Sequence, residues 1–76
     1  MSKHVDISIV VPVFNEEESL TQLYDEISNA VLPGCDWEVI FIDDGSTDHS
    51  AEVIKGLIKR YSNIILLQLY RNFGKA

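Results

Sequence analysis

The sequence W-E-V-I-F-I-D-D-G-S-T-D, residues 37–48, decides the fold of this chain. Its first six residues are apolar, β-branched or aromatic apart from one glutamate, which is typical of a buried strand. The following acidic and glycine-containing segment, residues 43–48, predicts a turn that leads into a helix. The apolar residues beyond that turn recur on one helical face: Val53, Ile54, Leu57, Ile58 and Tyr61.

The segment that precedes this unit predicts another strand and helix. Residues 7–13, I-S-I-V-V-P-V, form a β-branched run that is typical of a strand covered on both faces. Asn15 is a favourable helix N-cap, and the acids at residues 16–18 would complement the helix dipole. The helix should end before Pro33-Gly34. Its apolar face comprises Leu20, Leu23, Tyr24, Ile27, Ala30 and Val31.

A third apolar run, residues 64–70, completes the order β-α-β-α-β. Alternation of this kind predicts an α/β fold with a parallel sheet and right-handed crossovers. The expected strand order is 3-2-1, which leaves the first strand at one edge. An apolar edge strand invites pairing. We therefore expect residues 1–76 to be a single partial domain of a larger protein, or to form a homo-oligomer through that open edge.

Composition limits the classes of function. The 76 residues carry a formal net charge of −6, which argues against a nucleic-acid partner. A single cysteine, Cys35, excludes an internal disulfide. No apolar run approaches the roughly 18 residues that a membrane span needs, and the N-terminus lacks a signal-peptide core.

Polar or loop-type residues follow each predicted strand, at the end of a parallel sheet where ligands bind. Pro12, Phe14 and Glu16 follow or close the first strand, and Asp43 and Asp44 follow the second. An aromatic ring can stack on a nucleobase, and a carboxylate can accept hydrogen bonds from a ribose hydroxyl or a base N–H. Core packing, helix capping or a solvated turn would explain the same residues without a ligand.

The segment after the third strand, R-N-F-G-K at residues 71–75, adds positive charge. Arg71 and Lys75 could approach phosphates, and Gly74 would let the backbone come close. An ordinary surface loop would have the same composition. The segment after the first strand contains no glycine, which excludes the glycine-rich dinucleotide fingerprint. A phosphoacceptor receiver would place its acid pair in that segment, where this chain has only the glutamates at residues 16–18, so that fold does not fit either.

These three segments together resemble family 2 glycosyltransferases of the GT-A type along essentially all of the chain. The shared pattern is P-x-aromatic-N-E, then D-D-G-S-x-D, then R-N-F-G-K, each after a strand. The last segment is similar to that of the branch that charges dolichyl or polyprenyl phosphates. The resemblance implies nucleotide-sugar binding by the following residues: Pro12, Phe14, Glu16, Asp43, Asp44, Arg71, Gly74 and Lys75.

The same resemblance implies that residues 1–76 hold no catalytic residue and no metal ligand. The family's Asp-x-Asp metal segment and its general base would lie further on, so Mg²⁺ or Mn²⁺ is expected only in the full-length enzyme. The expected partners are a nucleotide-diphosphate sugar and a polyprenyl-phosphate acceptor, at a cytoplasmic location or the cytoplasmic face of a membrane. Two alternatives stay open: a non-catalytic nucleotide-binding module and a small dimerising α/β protein.

Overall fold

The structure, a computed structural model, describes residues 4–69 and contains three strands and two helices. The elements follow in the order β1 (Ile7–Val13), α1 (Leu20–Ala30), β2 (Trp37–Asp44), α2 (Ser50–Arg60) and β3 (Ile64–Leu69). All pairing is parallel, with β2 between β1 and β3. The predicted α/β class and strand adjacency are therefore confirmed, with β1 at one edge of the described sheet.

The core lies between one face of the sheet and both helices. Phe41 and Val39 of β2 are fully buried against Ile54 of α2 and Leu20 of α1. These apolar side chains recur at period two on the strand and at helical spacing on the helices, as the sequence predicts. Three predicted face residues differ: Ile58 and Ala30 are exposed, and Val31 follows the end of α1 as its C-cap.

An aromatic cluster closes the amino-terminal end of the sheet. The Tyr24 ring stacks on Trp37 with ring centroids 5.5 Å apart and on Tyr61 with centroids 4.5 Å apart. The Tyr24 hydroxyl donates a 2.7 Å hydrogen bond to Oδ1 of Asn63. Desolvation raises the pKa of the Tyr24 hydroxyl, and this bond opposes the shift. Loops lie at the opposite, carboxyl-terminal end of the sheet.

The second face of the sheet has no helix over it within residues 4–69. The pairing register aligns Val10, Ile40 and Ile65 in one row across the three strands. Val10 is 57% exposed, and Ile65, Leu67 and Leu69 are exposed as well. The sequence predicts a strand covered on both faces at residues 7–13; among the described residues, only one of its faces is covered by helices.

Gly56 offers a first prediction, because it lies in the middle of α2 and a Cβ there would meet no atom within 4 Å. Alanine should therefore stabilise the chain by about 0.5–1 kcal/mol, since glycine loses more backbone entropy on folding. Thermal unfolding should show a melting temperature roughly 2–8 °C higher. Gly34→Ala is the matched control: it also has free space, but its φ is +84°. That change should destabilise, and a stabilising effect at both positions would contradict the argument.

Candidate nucleotide-binding end of the sheet

Two loops meet at the carboxyl-terminal end of the sheet. The first loop, residues 14–19, follows β1, and the second loop, residues 45–49, follows β2. Val13 and Asp43 are register partners at the end of the β1–β2 pairing. Phe14 and Asp44 are the next residues of the two chain segments, so both lie at this end of the sheet. The loops are joined by hydrogen bonds between side chains of one and backbone amides of the other, and these contacts set the shape of the site.

Asn15 is the central residue of this junction. Its φ of 53° lies in the left-handed region, which asparagine tolerates better than most residues. Its Oδ1 accepts hydrogen bonds from the backbone N–H of Thr47 at 2.8 Å and of Asp48 at 3.2 Å. Its own N–H donates to Oγ of Ser46 at 2.9 Å. Asn15 therefore binds the second loop rather than capping α1.

The start of α1 is consequently later than the sequence predicts. Helix α1 begins at Leu20, with Ser19 at its N-cap, and no acid lies in its first turn. The acids at residues 16–18 lie in the loop instead. The Glu17 carboxylate Oε1 accepts from the N–H of His49 at 2.6 Å, and the N–H of Glu16 donates to Oγ of Ser50 at 2.9 Å. These long-range contacts replace the predicted cap of α1.

Asp48 forms a second link between the loops. Its Oδ2 accepts from the N–H of Glu17 at 3.2 Å. Its Oδ1 accepts from the N–H of Ser50 at 2.9 Å and from the Ser50 hydroxyl at 2.6 Å, at the start of α2. Desolvation raises the pKa of Asp48, but the hydrogen bonds from Ser50 and Glu17 outweigh it, so the pKa lies below its usual value.

The lowered pKa of Asp48 predicts that the stability of the fold depends on pH. A carboxyl group whose pKa is lower in the folded state adds stability above its ordinary pKa of 3.8, and that stability is lost as the pH falls through the lower folded value. Urea unfolding at about pH 6 should show the wild type more stable than Asp48→Asn, and the difference should shrink as the pH falls below 3.8. Asp6, whose pKa is also lowered, is present in both proteins and cancels. A difference that does not change with pH would contradict this role of the carboxylate.

The two aspartates at the end of β2 have different environments. Asp43 is only 3% exposed, and its Oδ1 accepts from the N–H of Ser46 at 2.9 Å. Gly45, with a φ of +80°, allows the chain to turn between Asp43 and Ser46. Asp44 is exposed. The sequence predicts both acids in a turn, but in the structure both lie within β2. The Asp43 carboxylate therefore shapes the turn, whereas Asp44 is exposed at the end of the strand.

The other predicted binding residues divide into two groups. Pro12 lies near the end of β1, and Phe14 and Glu16 follow that strand, so these three residues lie at the same end of the sheet as Asp44. All three are exposed, Phe14 by 47%. The predicted phosphate-loop residues, Arg71, Gly74 and Lys75, lie outside the described residues. Sequence reasoning did not find the linking role of Asn15 and Asp48; the tolerance of asparagine for positive φ is the signal that could have indicated it.

A surface cavity of about 460 Å³ adjoins the first loop. Its lining comprises Asn15, Glu16, Glu17, Glu18, Ser19 and Asp48. A nucleoside diphosphate is itself anionic, so like-charge repulsion makes this carboxylate-lined cavity unsuited to its phosphates. In the described part of the chain, no group of three or more His, Cys, Asp or Glu side chains could hold a metal ion.

Comparison with known proteins identifies the family. The sequence model of glycosyl transferase family 2 matches residues 8–76, which include both loops and every predicted binding residue. The chain belongs to glycosyl transferase family 2. This assignment confirms the resemblance carried by the three segments.

Named relatives within glycosyl transferase family 2 transfer different sugars. The chain is 44% identical over 71 residues to the undecaprenyl-phosphate 4-deoxy-4-formamido-L-arabinose transferase of Salmonella typhimurium, matching 91% of the chain and 22% of that protein. It is 37% identical over 68 residues to the poly(ribitol-phosphate) beta-glucosyltransferase of Bacillus spizizenii, matching 90% of the chain and 11% of that protein. The chain thus spans about a fifth or less of the length of these relatives. Within residues 4–69, no helix is long and apolar enough to cross a membrane.

Proposed function

We propose that this chain is the nucleoside-binding segment of a glycosyltransferase that uses a nucleotide-diphosphate sugar. The observation that carries the proposal is that two exposed residues, Phe14 directly after β1 and Asp44 at the end of β2, lie at the ligand-binding end of a parallel sheet. The ring offers a stacking surface for a base, and the carboxylate offers an acceptor for a base N–H or a ribose hydroxyl. Glu16, also exposed, adds a second acceptor from the first loop.

The reaction of the whole protein would be a displacement at the anomeric carbon of the donor sugar. An acceptor oxygen forms a bond to that carbon while the bond to the diphosphate oxygen breaks, and the electron pair leaves with the nucleoside diphosphate. A bound Mg²⁺ or Mn²⁺ would neutralise charge on that diphosphate, and we expect its ligands outside residues 1–76. Arg71, Gly74 and Lys75 would approach the ribose and phosphates.

For the acceptor we propose a polyprenyl phosphate. The 44% identity to a protein named as an undecaprenyl-phosphate sugar transferase supports this choice over the polyol-phosphate acceptor in the name of the other relative. An acceptor with a lipid tail would place the whole enzyme at the cytoplasmic face of a membrane. An assay of the full-length protein with polyprenyl phosphate and with a soluble acceptor would separate these two classes.

Titration with nucleotides tests the binding role directly. UDP, GDP, CDP and dTDP should be added separately to the 15N-labelled chain, and the amide shifts followed. At least one nucleotide should shift Phe14, Asp44 and Gly45, whereas Asn63, at the other end of the sheet, should not move. No saturable shift with any nucleotide would exclude the proposal. Transfer of sugar by the 76-residue chain alone would contradict the expected absence of catalytic residues.

We also propose that the chain self-associates through its open sheet edge. Within residues 4–69, β1 pairs only with β2, and its Val10 side chain is 57% exposed. Unpaired backbone groups flanked by apolar side chains favour addition of another strand. Light scattering should report a dimer or larger species, and Val10→Lys should shift the population toward monomer. A stable wild-type monomer at high concentration would overturn this proposal.

A further inference from the structure

The two exposed groups assigned to the nucleoside lie at the ends of two separate strands. Phe14 belongs to the first loop, and Asp44 ends the strand before the second loop. A site that uses both must hold the loops in a fixed relative position, because ordering mobile groups at the moment of binding costs affinity. Backbone pairing fixes β1 against β2 only up to Val13 and Asp43. Asp44 is still held by its pairing with Leu69 of β3, so other contacts must hold Phe14 and the first loop beside it.

The hydrogen bonds of Asn15 satisfy this requirement in both directions. Its side chain accepts from two successive amides of the second loop, Thr47 and Asp48, and its backbone N–H donates to the Ser46 side chain. The exchange ties the residue that follows Phe14 to the residues that follow Gly45. Its positive φ turns the first loop toward the second, so backbone conformation and side-chain contact both depend on one residue.

Asp48 complements Asn15 from the opposite loop. One carboxylate oxygen binds the amide of Glu17 in the first loop, and the other binds Ser50 at the start of α2. The second loop is thereby held against the first loop and against the helix that packs on the core. Neither Asn15 Oδ1 nor the two Asp48 oxygens is directed to a ligand in this arrangement, since each already accepts from protein donors.

We propose that Asn15, assisted by Asp48, is a positioning residue that sets the distance between the Phe14 ring and the Asp44 carboxylate for nucleoside binding. The inference rests on the proposed function, and it adds two residues that act through others without touching the nucleotide. Loss of the Asn15 acceptor should release the Thr47 and Asp48 amides and let the two loops separate. Nucleotide affinity should then fall although both binding side chains remain.

Three substitutions at one position separate the contributions of Asn15. Asn15→Gly keeps the left-handed backbone and removes the acceptor, whereas Asn15→Asp keeps the acceptor and tolerates positive φ. Asn15→Ala loses both features. Tyr24→Phe is the control for general destabilisation, because it removes one hydrogen bond, to Asn63, at the far end of the sheet.

The experiment measures dissociation constants by calorimetry on the full-length protein, at a temperature where every variant is folded, with the tightest-binding nucleotide among UDP, GDP, CDP and dTDP. Asn15→Gly and Asn15→Ala should weaken binding about ten- to hundredfold, because the first loop must then be ordered when the nucleotide binds. Asn15→Asp should stay within about threefold of the wild type, and Tyr24→Phe should bind as the wild type does. Hydrogen exchange at the Thr47 and Asp48 amides should accelerate in Asn15→Gly and remain slow in Asn15→Asp.

The outcomes distinguish this inference from the proposed function. Wild-type binding with unchanged affinity in Asn15→Gly would overturn the positioning role and leave the nucleotide site intact. Equal losses in Asn15→Gly and Tyr24→Phe would also overturn it, because stability alone would then explain the effect. Failure of the wild type to bind any of the four nucleotides would overturn the proposed function and this inference with it.

Discussion

Phe41→Ala is expected to lower the stability of the chain severely. Phe41 is the largest fully buried side chain in the described residues, with 0% exposure, and it lies in the central strand β2. Removing a buried phenylalanine costs about 3–5 kcal/mol through lost apolar burial and the cavity left behind. A chain of this length typically has only about 4–11 kcal/mol of stability in total. The substitution therefore removes a large part of the available stability.

Circular dichroism during urea unfolding gives the measurement. The variant should show either no cooperative transition or a midpoint far below that of the wild type. Leu32→Ala is the control, because Leu32 is 76% exposed and its loss should change the unfolding free energy by less than about 0.5 kcal/mol. A Phe41→Ala midpoint close to that of the control would mean that the core between the sheet and the helices contributes little.

The sheet and its order could be predicted from the sequence because periodicity reports burial directly. The apolar run in β2 and the helical spacing of Leu20, Tyr24, Ile54 and Leu57 describe side chains that are buried in the structure. Parallel pairing follows from the alternation of strands and helices, and the order follows from short right-handed crossovers. These inferences depend on averages over many residues, so single exceptions such as Ile58 did not affect them.

The first loop could not be predicted because its conformation depends on a distant segment. Asn15 followed by three glutamates satisfies every local rule for a helix start. In the structure the Asn15 side chain accepts instead from the amides of Thr47 and Asp48, which lie far along the chain, and it does not cap a helix. Local sequence does not reveal these contacts, since they arise only when parallel pairing brings the two loops together.

The exposed sheet face illustrates another limit. An apolar β-branched strand predicts burial on both faces, but the pattern does not identify what provides the cover. Among the described residues, helices cover one face only, and Val10 and Leu67 remain exposed on the other. The phosphate-loop assignments at Arg71, Gly74 and Lys75, and the metal in the whole enzyme, stay predictions.

Asp44→Ala should weaken nucleotide binding about ten- to hundredfold in the full-length protein. One lost hydrogen bond to a charged group is worth roughly 1.5–3 kcal/mol, which corresponds to that range of affinity. Asp44 is exposed at the end of β2, where a ligand can reach it, whereas Asp43 is buried. Calorimetry with the tightest-binding nucleoside diphosphate gives the dissociation constants.

The control for this measurement is Asn29→Ala, an exposed position on α1, which should bind nucleotide as the wild type does. Asp43→Ala gives an informative contrast, because it leaves the Ser46 amide without its acceptor and should lower stability by about 1–3 kcal/mol. A selective loss of affinity in Asp44→Ala, with thermal unfolding close to that of the wild type, would identify the Asp44 carboxylate as a ligand contact. Unchanged affinity would remove Asp44 from the site, and the nucleoside would then have to be held by Phe14 and Glu16 without it.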